Sequence, residues 1–125
     1  MMLKKRAERK IQKSKQMIFK NIREAVRFSG ERMAKVNLCE TDKMFCDVYG
    51  LEPGQGQRVH AHQDADKIYV VLEGSGTFRI GSEEQELGPE TVVLAPSGVE
   101  HGVENTGEVR LTLPFVFMAP NPNVA

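Results

Sequence analysis

The sequence predicts an all-β fold, and three observations lead to that prediction. From Met33 onward, short runs rich in Val, Ile, Tyr and Phe recur at intervals of about eight to twelve residues. Glycine, proline, asparagine and aspartate separate these runs and mark turns. No helical pattern lies between them, which excludes a parallel βαβ architecture. A sandwich or a barrel fits best, and a barrel also leaves no strand edge exposed.

The predicted elements follow one another in a simple order. Weak helical character runs through 22–28 and ends at Ser29-Gly30. Polar loops, such as 40–43 and 63–66, separate strands that are enriched in β-branched and aromatic residues, and glycine turns such as 74–76 separate others. The strands are predicted at 34–39, 44–51, 58–62, 67–72, 77–80, 85–87, 91–95, 99–103 and 109–118.

The size and composition of the chain limit the possible protein classes. A length of 125 residues suits one domain with a modest core. Two cysteines imply no disulfide framework, and no apolar run approaches the roughly 18 residues of a membrane span. The basic N-terminus is not followed by the apolar stretch of a secretory signal. We therefore expect a cytoplasmic protein.

The net charge of zero hides an asymmetry along the chain. Residues 1–16 contain seven Lys or Arg and one acid, Glu8, which leaves 10 basic and 16 acidic residues in 17–125. A basic leader could contact nucleic acid or an anionic membrane, but a solvated or frayed helix is the favoured interpretation. We therefore predict a basic tail or helix over 1–16 and a β-barrel domain over 17–125, with neither nucleic acid nor membrane as a partner.

The three histidines of the chain lie in two short segments. His60 and His62 are two residues apart, so in a strand their imidazoles project from the same face. Two such imidazoles are adjacent ligands for a borderline metal, and His101 from a distant strand could complete the set. The alternative is that these are surface or hydrogen-bonded core histidines.

The residues around the histidines follow two spaced motifs. Gly54 is followed after five residues by His60-Ala61-His62, then after four by Lys67 and after six by Gly74. The second motif reads Pro96-Ser97-Gly98, two residues, His101, three residues, Asn105. Over residues 33–118 the sequence resembles the cupin family. The resemblance implies a jelly-roll barrel, also called a double-stranded β-helix, with one divalent metal held by His60, His62 and His101. It also implies a homodimer.

Two positions depart from the cupin pattern. Glu90 occupies a position that is usually glycine, so we expect the turn before Thr91 to differ locally. Lys67 replaces the glutamate that usually binds the metal. At about 5.5 Å and an effective dielectric of about 20, an ammonium would repel a divalent ion by about 6 kcal/mol. Lys67 is therefore expected to swing to the barrel mouth and pair with Asp64 or another acid, to lose its proton, or to fix an anionic ligand in a metal-free pocket.

The sequence leaves the function open among three classes. The first is a metal-dependent enzyme acting on a small anionic compound, with Lys67 and Tyr69 as candidate catalytic residues. The second is a non-catalytic metal-binding or small-molecule-binding protein such as a sensor. The third is a structural barrel whose histidines satisfy one another. The metal is not distinguished among Fe, Mn, Ni, Cu and Zn, and Cys46 is interpreted as an ordinary core residue.

Overall fold

A computed structural model describes residues 15–124 of the chain. Most of the predicted basic tail lies outside the described residues, so its helical or extended form stays a prediction. The described part contains one short helix, α1 (Ile22–Ala25), and nine strands. The strands are β1 (Ala34–Glu40), β2 (Phe45–Leu51), β3 (Gly56–His60), β4 (Asp66–Val70), β5 (Gly76–Ile80), β6 (Glu83–Leu87), β7 (Val92–Ala95), β8 (His101–Glu104) and β9 (Leu111–Ala119).

The nine strands form two antiparallel sheets, which confirms the predicted all-β jelly roll. One sheet has the order β1-β2-β9-β4-β7, and the other has the order β3-β8-β5-β6. Alternation along the strands directs one set of side chains into the space between the sheets. The resulting core contains Tyr49, Leu51, Tyr69, Val71, Phe78, Val93, Ala95, Val103, Leu111, Leu113 and Val116.

Helix α1 is a single turn whose start is defined by a cap. The side chain of Asn21 accepts a hydrogen bond from the Glu24 amide at 3.1 Å, which satisfies one of the amides left free at a helix N-terminus. The helix is shorter than the weak helical pattern predicted. Within residues 15–124, no helix is long and apolar enough to cross a membrane.

The predicted strands are present, but two boundaries matter for the histidines. The prediction placed His62 within a strand, but strand β3 ends at His60 and His62 lies just beyond it. Strand β8 begins at His101 and not at position 99. Both changes place histidines at strand ends, where the chain enters or leaves the sheet.

We expected the backbone of the turn at Glu90 to differ from a glycine turn, and this expectation is wrong. Glu90 has a φ of 68°, a left-handed conformation that glycine adopts without a side-chain clash. The backbone therefore keeps a glycine-type turn, and Glu90 adopts a backbone conformation that is strained for a residue with a side chain. Its amide donates to the Val71 carbonyl at 2.8 Å, and the Val71 amide donates to the Thr91 carbonyl at 3.0 Å, so the surrounding backbone holds this conformation.

Candidate metal centre

Strand pairing brings the three histidines together. His60 at the end of β3 lies opposite His101 at the start of β8 in the register of the four-stranded sheet. His62 follows two residues after His60, and their Nε2 atoms are 3.1 Å apart. One ligand atom from each of the three histidines lies within 4.8 Å of the others, so the cluster could hold an ion. The sequence prediction that these three imidazoles converge is supported by this geometry.

Backbone carbonyls fix the orientation of two of the imidazoles. Nδ1 of His60 lies 2.7 Å from the Arg58 carbonyl oxygen, and Nδ1 of His101 lies 3.0 Å from the Val99 carbonyl oxygen. A carbonyl oxygen only accepts, so each Nδ1 must carry the hydrogen and donate it. In the neutral ring, Nε2 then has a free lone pair, which is the form that binds a metal.

Burial keeps these imidazoles neutral near pH 7. The pKa of His101 is lowered from 6.5 to about 4, mainly by desolvation and to a lesser extent by the charge of Lys67, while the hydrogen bond to Val99 opposes the shift. The pKa of His60 is also lowered, mainly by burial. Neutral imidazoles are the ligands that Zn, Cu, Fe and Ni accept.

His101 has a buried nitrogen that needs a partner. Its side chain is 1% exposed. Among the residues that the structure describes, Nε2 of His101 is the buried side-chain nitrogen or oxygen without a hydrogen-bond partner. Leaving such an atom unpaired costs about 1–3 kcal/mol. A metal ion would satisfy this nitrogen, so the donor set fits the group that the sequence motif implies.

Lys67 lies inside the barrel, so the alternative in which its ammonium swings to the barrel mouth to pair with Asp64 or another acid there is wrong. Its side chain is 2% exposed, and Nζ donates to Oε1 of Gln57 at 3.2 Å. Nζ also lies 5.6 Å from the ring centroid of Tyr49 and 4.9 Å from that of Tyr69. These two ring faces lie within cation–π range of an ammonium. The hydrogen bond to Gln57 and the two ring faces together hold the amine of Lys67 inside the barrel.

The charge of Lys67 depends on this environment. Its pKa is lowered from 10.5 to about 7, mainly by burial and to a lesser extent by the nearby charge of Lys35, while the carboxylate of Asp47 acts in the opposite direction. The amine therefore loses its proton much more readily than an exposed lysine does. It can give or accept a proton without a large change in pH.

Gln57 links the candidate catalytic residues, and sequence reasoning missed it. Its Oε1 accepts from Lys67 and, at 2.6 Å, from the Tyr69 hydroxyl. Its Nε2 donates to the Tyr49 hydroxyl at 3.1 Å. These contacts fix the orientation of the amide. The only available signal was that position 57 precedes His60 by three residues in an inward-facing segment, which is too general to single out a glutamine.

A cavity of about 420 Å³ opens beside the histidines. His60, His62, Lys67 and Gln57 contribute to its wall, so it presents imidazole, amine and amide groups together. The remaining lining residues are Lys35, Phe45, Asp47, Tyr49, Met118, Pro122 and Asn123. Tyr69 is fully buried behind this wall and directs its hydroxyl to Gln57. The cavity is large enough for a small organic molecule.

Residues 47–117 match the Cupin domain family. This range contains both histidine segments and the strands that hold them. The chain is a member of the cupin family. Family membership agrees with the two-sheet barrel and with a cluster of histidines inside it.

Several known proteins resemble this chain over most or part of its length. The crystal structure of TT1209 from Thermus thermophilus superposes with a TM-score of 0.81 and 40% identity, covering 85% of this chain and 100% of that one. Tetracenomycin polyketide synthase protein TcmJ of Streptomyces glaucescens is 32% identical over 59% of this chain and 51% of its own length. An oxalate-binding protein of Thermotoga maritima is 33% identical over 49% of this chain and 50% of its own length. The cupin chain thus spans about half the length of these two curated relatives.

Proposed function

We propose that this cupin binds one divalent metal ion through His60, His62 and His101, and that it uses the adjoining cavity to bind a small anionic compound. The observation that carries the metal assignment is the buried Nε2 of His101, which lacks a hydrogen-bond partner within residues 15–124. The alternative that the histidines only satisfy one another accounts for the contact between His60 and His62, but it leaves His101 unexplained.

The side chains around the ion have separate tasks in this proposal. A bound divalent ion would polarise a ligand oxygen as a Lewis acid. Lys67 meets an anionic group of the ligand, because its amine lies in the cavity wall. Tyr69 keeps its proton, since burial raises its pKa, and its hydroxyl goes to Gln57. We therefore assign Tyr69 to positioning and Lys67 to ligand contact and proton transfer.

Lys67 and the ion repel each other, and the proposal accounts for this in two ways. Loss of the Lys67 proton removes the repulsion, and burial favours that loss. An anionic ligand between the two groups would offset it when Lys67 is protonated. A dicarboxylate satisfies both conditions, because one carboxylate can face the histidines and the other can face the amine. The name of the Thermotoga maritima relative makes oxalate the first compound to test.

Elemental analysis of protein purified without an affinity tag tests the metal assignment. We expect about one equivalent of a divalent metal in the wild type and a loss of most of it in the His62→Ala variant. Glu100→Ala, an exposed position next to His101, serves as the matched control and should retain the metal. Metal-free wild type that also fails to take up Zn²⁺, Ni²⁺, Mn²⁺, Fe²⁺ and Cu²⁺ would reject the assignment.

Calorimetry with oxalate tests the ligand proposal separately. Metal-loaded wild type should bind oxalate, and Lys67→Met should weaken binding by about tenfold or more, as for a lost charge-assisted hydrogen bond. Lys43→Met, an exposed lysine in the β1–β2 turn, is the control and should bind as the wild type does. Turnover of bound compounds, or oxygen uptake, would identify an enzyme, whereas binding without turnover would identify the non-catalytic alternative.

A further inference from the structure

The two cysteines of the chain are direct neighbours across a strand pair. Cys39 on β1 and Cys46 on β2 are Cα partners in the antiparallel register. Directly opposed residues have Cα atoms about 4.5–5.5 Å apart and side chains on the same face. A disulfide needs Cα atoms about 4.4–6.8 Å apart. The pairing therefore brings both thiols within the range that a bond requires, although the sequence alone implied no disulfide.

Side-chain contacts confirm that the two residues lie close together. Nδ2 of Asn37 lies 3.4 Å from the Cys39 carbonyl oxygen and 3.5 Å from the Cys46 carbonyl oxygen, so one amide group bridges the two backbones. Both thiols are free, with Cys39 half-buried and Cys46 buried. The register shifts between Asn37 and Cys39, which gives β1 a local irregularity at this point.

We propose that Cys39 and Cys46 form a reversible intramolecular disulfide that ties β1 to β2 beside the mouth of the cavity. A bond between directly opposed strand residues is strained, because the Cβ atoms of such pairs are about 4.5–5.5 Å apart while a relaxed disulfide prefers about 3.5–4.5 Å. Strained disulfides are easily reduced, and such bonds serve regulation better than permanent stabilisation.

The location connects this bond to the cavity wall. Phe45 and Asp47, the neighbours of Cys46, line the cavity. Glu40, the neighbour of Cys39, accepts a hydrogen bond from Nδ2 of Asn121 at 2.8 Å, close to the lining residue Asn123. A bond between the cysteines would therefore restrict the relative motion of both strand segments that shape this part of the wall.

A small-molecule disulfide such as glutathione disulfide can supply the oxidation. Cys39 reacts first, because burial raises the pKa of the Cys46 thiol to about 12 and makes it a poor nucleophile. The Cys39 thiolate attacks the glutathione disulfide and releases one glutathione. Cys46 then loses its proton and displaces the second glutathione from Cys39. The protein loses two protons and two electrons, and one glutathione disulfide takes them up to become two glutathione molecules.

Intact mass spectrometry of the full chain, treated with glutathione disulfide in the presence of a chelator, tests the proposal. We expect a loss of two hydrogens without retained glutathione, a peptide pair joined through Cys39 and Cys46, and recovery with dithiothreitol. Cys46→Ser should instead retain glutathione on Cys39. Wild type that keeps both thiols, retains glutathione or links only between molecules would overturn the proposal.

Hydrogen exchange tests the connection to the cavity wall in the same samples. Amides in the 41–44 turn should exchange more slowly in the oxidised wild type than in the reduced protein, and the Cys39→Ser variant should show no such change after the same treatment. Oxidised protein with unchanged exchange in this turn would contradict the restriction of the two strands, even if the bond itself forms.

Discussion

The two walls of the cavity are held in place by different means. The histidine wall consists of His60, His62 and His101, and main-chain carbonyls of Arg58 and Val99 orient His60 and His101. The lysine wall consists of Lys67 and the three side chains that orient it. These are Tyr49 from β2, Gln57 from β3 and Tyr69 from β4. A wall fixed by the backbone tolerates changes in neighbouring side chains, whereas a wall built from side chains depends on each member.

The difference in construction corresponds to a difference in charge. Histidines 60 and 101 are held neutral by burial and present lone pairs. Lys67 has a pKa lowered to about 7 and lies where the family pattern places a metal-binding glutamate. The first wall suits a cation and the second suits an anion. A ligand that carries negative charge while also coordinating a metal would contact both.

The largest expected effect is the stabilisation of the histidine wall by metal. A ligand at 1,000 times its Kd stabilises the fold by about 4 kcal/mol. We expect an increase of that size in the free energy of unfolding of wild type when saturating Zn²⁺ or Ni²⁺ replaces a chelator. The increase should disappear in His101→Ala, and urea unfolding with and without metal measures it.

The comparison is made within each variant, because His101→Ala also changes a buried side chain. Glu100→Ala provides the control and should keep the full metal-dependent increase. Retention of the increase in His101→Ala would show that the ion binds elsewhere, and the distinction between the two walls would then lose its basis.

The next effect comes from converting the lysine wall to the usual cupin residue. Lys67→Glu removes a repelling charge and adds a carboxylate, so metal affinity should rise by about 10- to 100-fold. Competition with a chelating dye gives the affinity, and Lys67→Met separates loss of the positive charge from gain of the negative one. Equal or weaker metal binding by Lys67→Glu would show that position 67 does not face the ion.

Sequence reasoning could predict the histidine wall but only part of the lysine wall. The two-residue spacing predicted that His60 and His62 lie side by side, and the resemblance of the two motifs to the cupin family implied that His101 joins them from a distant strand. The shared inward direction of Lys67 and Tyr69 was also predictable from their spacing. The acceptor of Lys67 was not, because Gln57 and Lys67 lie in different sheets and meet only through the packing of one sheet on the other. Cys39 and Cys46 show the same limit, since their pairing depends on the exact register of a hairpin.

A smaller effect should appear in the pH dependence of stability. The folded-state pKa of Lys67 is about 7 and lies below the ordinary value of 10.5, so the unfolded chain binds more protons between these values. Stability should therefore rise with pH across this window, by at most about 1.4 kcal/mol per pH unit. Below pH 7 the buried ammonium opposes folding in full.

Urea unfolding of metal-free wild type and Lys67→Met between pH 7 and 8.5 measures this contribution. The upper pH of 8.5 lies below the ordinary pKa of 9.0 for Cys46. The folded-state pKa of Cys46 is raised, so its titration would make the free energy of unfolding fall at higher pH. Wild type should gain roughly 1.5 kcal/mol more than Lys67→Met over this range. Parallel pH profiles of the two proteins would mean that the amine keeps its proton in the folded state, held by the tyrosine rings and Asp47.

The smallest expected effect, that of Arg58→Ala on metal affinity, tests whether the histidine wall depends on the backbone alone. Arg58 is exposed, and it contributes its carbonyl oxygen to His60. Arg58→Ala keeps that carbonyl, so metal affinity should change by less than about 0.5 kcal/mol at moderate salt, where long-range charge effects are screened. Gln57→Leu, one residue earlier, removes the acceptor shared by Lys67 and Tyr69 and should lower the free energy of unfolding by about 1–3 kcal/mol. Calorimetric metal titration and urea unfolding of both variants give the two values. A large loss of metal affinity in Arg58→Ala would mean that side chains also orient this wall, so that both sides of the cavity are built in the same way.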